Sequence, residues 1–276
     1  QNLNLNIKSL LMSKIPKPIS NYVERFLIQY KDLKIENIEL DEFSELIIQE
    51  KSQINNMLMS GLGASTLILR LSAVINLSIK LDEGSDEEDA LLMKQILDNI
   101  REVLPSDTNW KNILKITSDN QSLWYKCVNA EGSDNSIMDR FVTFRNKFVH
   151  EIILLKPDHA KKVLNGINVL KSICLEVAPI FENSEFKETE GKYYFIQKTG
   201  LLKSKKICLY PFVQAGEEDD LPYIFQGLYD NKTTAELIST FYGDVEEQKG
   251  SEHYDQVFNP IIESLKGGAG KVFDHS

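Results

Sequence analysis

The chain has 276 residues, of which 42% are hydrophobic and 26% are charged, with 31 Lys and Arg against 41 Asp and Glu. This composition is typical of soluble globular proteins and excludes a chain that is disordered throughout. The net charge of -10 argues against a protein that coats nucleic acid non-specifically, because such binding depends on neutralising phosphates. A local basic surface is compatible with this net charge.

Neither a membrane span nor a metal site is predicted. The most apolar stretch, residues 67–79, is interrupted by four polar side chains and falls short of the roughly 18 apolar residues that a span needs. Cys127, Cys174 and Cys208 are widely spaced and form no C-x-x-C pair that could hold zinc. We therefore expect a cytoplasmic protein with no cofactor, no metal ion and no membrane partner.

Hydrophobic residues recur at three- and four-residue spacing through the first 180 residues, which predicts a series of amphipathic helices. Ser20 is the predicted cap of the first helix, Asp41 opens the second, and the third occupies residues 64–80. The intervening residues 61–66 (GLGAST) lack the Lys and the preceding strand of a phosphate loop, so we interpret them as a helix junction.

The same spacing predicts five more helices. They cover residues 91–104, 110–116, 123–128, 136–155 and 158–181. An acidic loop, residues 82–89, precedes the first of these and is interpreted as a solvated charge run. Asp158 is the predicted cap of the last helix, and Trp110 and Trp124, with Tyr125, are expected to be core anchors of the short ones.

Beyond Glu190 the pattern changes to a period of two, with many Tyr, Phe and Ile residues. Three runs follow it, at residues 193–197, 207–213 and 223–229. They predict a small sheet, in which Pro211 demotes the second run to an edge strand or a bulge. The predicted protein is mainly α: a helical bundle over residues 1–184, a small β-containing α+β appendage over residues 185–266, and a flexible tail or linker over residues 267–276.

One hexamer in the long helix combines a permanent cation, an amide and a titratable imidazole. It reads Arg145-Asn146-Lys147-Phe148-Val149-His150. An Arg followed by a His at this distance is common by chance, so its context decides its value. Here Asn directly follows the Arg, the helix is the penultimate one of the predicted bundle, and three phenylalanines give it an apolar face.

The hexamer and its helical setting resemble the HEPN superfamily, whose ribonuclease members carry Arg, commonly a polar residue such as Asn, three more residues and His. Arg145, Asn146 and His150 match this motif, and the likeness of helix order covers residues 15–182. The resemblance implies metal-independent cleavage of RNA, in which the ribose 2′-hydroxyl attacks the adjacent phosphorus and leaves a cyclic phosphate. His150 would be the acid or base, Arg145 the phosphate clamp, and Asn146 would orient one of them.

The same resemblance implies a homodimer in which both motif helices line one cleft. Residues 14–25 and 209–213 are also similar to HEPN modules fused to larger prokaryotic defence proteins. This likeness implies a toxin or effector in phage defence or abortive infection, with a fused or separate sensor or regulatory protein as partner. We therefore expect an enzyme, an endoribonuclease with RNA as its substrate.

The local charge allows RNA to bind. Residues 140–171 carry seven basic and two acidic side chains, and residues 192–206 carry five basic and no acidic ones. RNA could therefore meet a basic face on an acidic molecule, with Tyr193 and Tyr194 available for base stacking. A solvated lysine face is the alternative.

Ideal helical geometry places Arg145 and His150 about 140° apart around the helix. Three explanations are open: the long Arg145 stem reaches round to the cleft, the helix is distorted, or a two-fold partner supplies the Arg. Two other functions are open as well. One is a non-catalytic HEPN-like scaffold for dimerisation or docking in a larger defence or toxin-antitoxin system, and the other is an antitoxin or a nucleotidyltransferase partner.

Overall fold

The computed structural model describes residues 15, 17–82, 95, 99, 106–120, 122, 124–129, 135–152, 155–198, 204–209, 212–215 and 222–224. Most of these residues are helical, and a small antiparallel sheet lies toward the carboxyl end. The predicted class, mainly α with a small β-containing part, is confirmed at this level. The helix predicted over residues 91–104, nearly all of the acidic loop and the tail over residues 267–276 lie outside the described residues.

The described helical elements follow one another in this order. They are α1 (Lys17–Asp32), α2 (Leu40–Gln49), α3 (Lys51–Asp82), α4 (Asp107–Thr117), the single turn α5 (Tyr125–Val128), α6 (Ile137–Lys147) with a π turn (Phe148–Ile152), a 3-10 turn (Pro157–His159), and α7 (Ala160–Ser172) with a π turn (Ile173–Val177) and a 3-10 turn (Ala178–Phe181).

The chain divides into two compact units. The first combines the residues up to Arg70 with Asn120–Glu185 and Gln197–Ser204, and the second combines Leu71–Asp119 and Phe186–Ile196 with the residues from Lys205 onward. Helix α3 therefore contributes its first part to one unit and its last part to the other. The motif hexamer belongs to the first unit, and most of the sheet belongs to the second.

Helix α3 is one continuous helix of 32 residues, so the predicted junction at residues 61–66 was wrong. Its glycines are contact points instead of breaks. A Cβ atom at Gly61 would lie 2.7 Å from Phe26 Cδ2, and one at Gly63 would lie 2.9 Å from Tyr22 Cε1. Both rings belong to α1, so the missing Cβ atoms let α1 approach α3 closely.

Two described helical stretches, Lys51–Lys80 and Pro157–Phe181, are long and apolar enough to cross a bilayer by length and composition alone. Of their most apolar windows, 67% and 44% respectively are buried inside the protein. A core helix of a soluble protein passes the same test, and the burial of α3 matches that of a core helix.

Two of the predicted caps were wrong. Ser20 lies inside α1, where its hydroxyl donates to the carbonyl of Lys17 at 3.3 Å. Asp158 lies within the 3-10 turn, and His159 occupies the N-cap position of α7 without a side-chain cap bond. Asp158 does not cap α7 because Pro157 begins a tighter 3-10 turn ahead of the α-helix.

Aromatic side chains form the centres of both units. In the first unit, the rings of Trp124 and Phe181 lie 5.9 Å apart and both side chains are buried. In the second unit, Trp110 of α4 is fully buried. The prediction of core anchors is therefore confirmed for the two tryptophans. For Tyr125, which is 39% accessible, it was wrong.

Within the described residues the sheet has five short strands. They are β1 (Ser184–Thr189), β2 (Lys192–Lys198), β3 (Ser204–Cys208), β4 (Val213–Ala215) and β5 (Pro222–Ile224). Strand β2 adjoins β1, β3 and β4, and β4 also pairs with β5. In the two antiparallel pairs formed by β4, Lys192 lies opposite Gln214, and Gln214 lies opposite Tyr223.

Only part of this sheet was predicted. Strand β2 matches the first run, the second run is divided between β3 and β4, and the described part of the third run is the end of β5. Strand β1 was missed, because its sequence SEFKET is mostly polar and its identity depends on pairing with β2. The turn between them is Glu190-Gly191, whose φ angles of 55° and 75° are those of a two-residue hairpin turn.

Candidate functional site

Helix α6 carries the first three residues of the motif hexamer and begins near residue 136, where the sequence predicted a helix to start. Ser136 is its N-cap, and the hydroxyl of Ser136 accepts a hydrogen bond from the backbone N–H of Asp139 at 3.1 Å. This bond satisfies one of the free N–H groups of the first turn. The helix then presents Phe141 and Phe144 to the core, while Thr143 is exposed.

Close packing of α7 against α6 places the start of the hexamer. A Cβ atom at Gly166 of α7 would lie 2.0 Å from Cε2 of the Phe144 ring, far inside van der Waals contact. Phe144 also lies against Phe148, with ring centroids 6.0 Å apart. Arg145 is thus flanked in sequence by a side chain that α7 holds tightly.

The structure brings Arg145 and Asn146 together. Nη1 of Arg145 donates to Oδ1 of Asn146 at 3.3 Å, and both side chains are half-buried. This bond restricts the guanidinium to fewer directions than a free arginine would sample. In general, the planar guanidinium of an arginine can pair two N–H groups with the oxygens of one phosphate.

The helix changes its geometry between Arg145 and His150. Helix α6 ends at Lys147, and residues Phe148–Ile152 form a π turn. Hydrogen bonds of the i to i+5 type replace those of the i to i+4 type in such a turn, so it winds less per residue than an α-helix. The angle between the two side chains is therefore smaller than the about 140° of an ideal helix. The helix is distorted here, as one of the three explanations supposed, and the other two stay open.

His150 projects from this π turn into solvent. Its side chain is exposed, as is that of the preceding Val149, 41% of which is accessible. Within the described residues no hydrogen bond or ion pair joins His150 to Arg145 or Asn146. The imidazole is therefore accessible to a substrate, while the arginine is held by its neighbour.

An ion pair lies next to the imidazole in sequence. Nζ of Lys162 on α7 is 3.2 Å from Oε2 of Glu151, and both side chains are about half exposed. An unpaired carboxylate beside His150 would repel a phosphate, and Lys162 offsets that charge. The sequence did not identify this pair, because Glu151 and Lys162 are 11 residues apart and lie on different elements, the π turn and α7.

The basic residues of the motif region are on the surface. Those that are exposed are Arg140, Lys147, Lys156, Lys161 and Lys162. Their shared exposure agrees with both a nucleic-acid surface and a solvated face, so RNA binding here stays a prediction.

The two tyrosines that were expected to stack on bases differ in position. Tyr193 is only 6% accessible and packs inward from β2, so the expectation for it was wrong. Tyr194 is half-buried and lies on the other side of the strand, since successive residues of a strand alternate between its faces.

Other candidate groups do not join this site. No group of three or more His, Cys, Asp and Glu side chains is placed to hold a metal ion among the described residues. Cys127 and Cys174 are buried free thiols, whereas Cys208 is an exposed one. Burial, followed by the charge of Glu176, raises the pKa of Cys127 to about 11, and burial raises the pKa of Cys174.

Gly166 is a further residue of this region that was not identified from the sequence. The available signal was a single glycine inside a helical pattern, which marks a close approach of another element. That signal identifies the position as tight, but it does not identify Phe144 as the contact.

Comparison of the chain with protein-family models, with curated proteins and with solved structures finds no significant match. The functional interpretation therefore depends on the residues and geometry described above.

Proposed function

We propose that this chain is a metal-independent endoribonuclease of the HEPN type. One observation carries the proposal: the exposed imidazole of His150 follows, across a π turn, a half-buried Arg145 that is hydrogen-bonded to Asn146. An accessible proton-transfer group and an oriented cation are the two components that RNA transesterification requires.

In the proposed reaction, a neutral His150 imidazole accepts the proton of a ribose 2′-hydroxyl. The 2′-oxygen then forms a bond to the adjacent phosphorus, and the bond from phosphorus to the 5′-oxygen breaks. An imidazolium donates the proton that the departing 5′-oxygen needs. The products are a 2′,3′-cyclic phosphate and a 5′-hydroxyl, and atoms and charge balance without any further reactant. Arg145 stabilises the extra negative charge on the phosphoryl oxygens, and Asn146 orients it.

The proposal includes a homodimer joined at the motif. Val149 supports this arrangement, because an apolar side chain that is 41% accessible directly beside His150 is suited to burial in an interface. A second copy would supply a second imidazole, so that one acts as base while the other acts as acid.

The HEPN-like identity of the bundle and the biological role belong to the same proposal. They are supported by the motif and the order of helices, which resemble modules of prokaryotic defence proteins. We accordingly propose a toxin or effector in phage defence or abortive infection, with a sensor or regulatory protein as partner.

Cleavage of labelled single-stranded RNA in EDTA tests this proposal. The unaltered chain is expected to cleave, whereas His150→Ala and Arg145→Ala are expected to lose about 100-fold or more of the rate. Thr143→Ala is the matched control, since this side chain is exposed on the same helix. Equal rates in all four proteins, or cleavage by none, would refute the assignment.

A non-catalytic scaffold is the second candidate. Exposed apolar side chains of the first unit favour it, with Ile48 at 70% and Met59 at 61% accessibility. Light scattering separates the two candidates when combined with the cleavage assay. A stable dimer that shows no cleavage by the unaltered chain would support the scaffold.

A further inference from the structure

The exposed side of β2 carries a second group of chemically useful residues. Tyr193 and Phe195 are buried, so the alternation of the strand places Lys192 and Tyr194 on the opposite, accessible face. Lys192 is exposed, and Tyr194 is half-buried.

Strand β1 brings a lysine to one flank of Tyr194. The two-residue turn Glu190-Gly191 sets Thr189 opposite Lys192, and the same register sets Lys187 opposite Tyr194. The same alignment of the two strands places Lys198 opposite Asn183, and the N–H of Lys198 donates to the carbonyl of Asn183 at 3.1 Å. Lys187 is exposed.

Strand β3 brings a second lysine and a thiol to the other flank. The backbone N–H of Leu209 donates to the carbonyl of Tyr193 at 2.9 Å, which sets Cys208 opposite Tyr194. Lys206 is then the diagonal neighbour, and its Nζ lies 3.8 Å from the centre of the Tyr194 ring. The neighbouring Cys208 thiol, followed by burial, raises the pKa of the Tyr194 phenol.

These residues form what we call the sheet-face patch. Its members are Lys187, Lys192, Tyr194, Lys206 and Cys208. The ammonium of Lys206 lies over one aromatic ring, and strand register places two further lysines beside it on the same face, on a chain whose net charge is -10. Two acidic side chains adjoin the patch: Glu190 in the turn, which also contributes to the raised pKa of Tyr194, and Glu185 of β1, whose Oε2 lies 3.6 Å from Nζ of Lys198. The patch therefore attracts an anionic ligand with a flat, stackable group.

We propose that the sheet-face patch binds single-stranded RNA, with a base stacked on Tyr194 and phosphates held by Lys187, Lys192 and Lys206. This inference deepens the proposed function and rests on it for the choice of RNA as ligand. Single-stranded nucleic acid binds in this manner to other sheets, because every base has a face that stacks and every linkage has a charge that pairs with lysine. An acidic peptide would use the lysines and leave the ring unused.

The cation over the ring couples the two contacts. The ammonium of Lys206 lies over one face of Tyr194, so a base that stacks on that face competes with it. A phosphate that draws the ammonium away removes this competition. Stacking and phosphate binding are therefore expected to assist each other at Tyr194.

Fluorescence anisotropy with labelled oligouridine tests the inference. The full chain carries His150→Ala in every sample, so that binding is measured without cleavage. Adding Tyr194→Ala is expected to weaken binding about tenfold. Tyr194→Phe keeps the ring and is expected to change the affinity less than about twofold. Adding Lys187→Gln is expected to reduce the slope of log affinity against log salt by about 0.7. Lys126→Gln, an exposed lysine of the other unit, is the matched control and should change neither.

Alkylation of Cys208 provides a second, local measurement. Its thiol is exposed, while Cys127 and Cys174 are buried, so iodoacetamide should modify Cys208 first in the folded chain. Saturating oligouridine is expected to slow this modification severalfold, because the thiol lies opposite Tyr194. The melting temperature of each variant shows whether it folds. If Tyr194→Ala does not fold, the slowing of Cys208 alkylation by oligouridine is measured in Tyr194→Phe instead.

Three results would overturn the inference. They are an unchanged affinity in Tyr194→Ala, an unchanged rate of Cys208 alkylation with oligouridine bound, and equal binding of polyglutamate. The outcome is separable from that of the cleavage assay. Tyr194-dependent binding by a chain that never cleaves RNA would support the patch and refute the nuclease, while cleavage with unaltered binding in Tyr194→Ala would do the reverse.

Discussion

Gly166 of α7 faces the ring of Phe144 on α6 so closely that a Cβ atom there would lie 2.0 Å from Cε2, 2.2 Å from Cζ and 2.3 Å from Cδ2. Both residues are buried. The ring fills the space that any other residue at position 166 would need. Since Phe144 directly precedes Arg145, this contact also helps to set where the candidate site begins.

Gly166→Ala is therefore expected to destabilise the chain by about 1–3 kcal/mol through overpacking, although alanine favours a helix. Urea unfolding measures the loss. Asn165→Ala, at the exposed neighbouring position of the same helix, is the control and should change stability by less than about 0.5 kcal/mol. A Gly166→Ala variant as stable as the unaltered chain would show that the ring moves at little cost.

Phe144→Ala is expected to cost about 3–5 kcal/mol, since it removes a buried ring. The double variant Phe144→Ala with Gly166→Ala should be no less stable than Phe144→Ala alone, because the clash is gone and alanine is the better helix former. The unfolding free energies of the unaltered chain, the two single variants and the double variant form a double-mutant cycle. Additive losses would mean that the two positions are not in direct contact.

His150→Ala is expected to leave the melting temperature nearly unchanged, because the imidazole is exposed and has no hydrogen-bond or ion-pair partner in the described part of the chain. The same variant should lose RNA cleavage. Scanning calorimetry gives the first quantity and the EDTA assay gives the second. A fall in melting temperature of many degrees would identify His150 as a structural residue.

Alkaline pH is expected to destabilise the fold through Cys127. Burial, and then Glu176, raise the pKa of this thiol to about 11, so the folded chain keeps the proton that an unfolded cysteine loses near pH 8.5. Stability is complete below the unfolded pKa and is lost as pH rises through about 11, by up to roughly 2–3 kcal/mol.

The control for this effect is an exposed residue that does not titrate. Cys127→Ala should flatten the decline of the unfolding free energy between pH 8.5 and 11, whereas Asn165→Ala should not. Urea titrations at a series of pH values provide the comparison. Identical profiles for the two variants would exclude Cys127 as the cause.

The sequence predicted most helices because their apolar spacing is a local signal. The sequence placed the break between α2 and α3 wrongly, because Gly61 and Gly63 resemble helix breakers. In the structure they are helical, and the rings of Phe26 and Tyr22 occupy the space that their Cβ atoms would fill. The sequence also missed the face on which each tyrosine of β2 lies. The parity of a strand is set by the core that it covers, and that core is assembled from distant residues.

The amino-acid order by itself determined a mainly helical protein with a short sheet behind it, and it placed Arg145, Asn146 and His150 in one helix. Those properties follow from side-chain periodicity and residue chemistry over a few turns. Only the tertiary structure decided that the helix widens into a π turn between Arg145 and His150, that Phe144 lies against Gly166, and that Tyr194, not Tyr193, is accessible. These features depend on how segments far apart in the chain pack together, because a close-packed interior accommodates one arrangement of side chains and excludes slightly different ones.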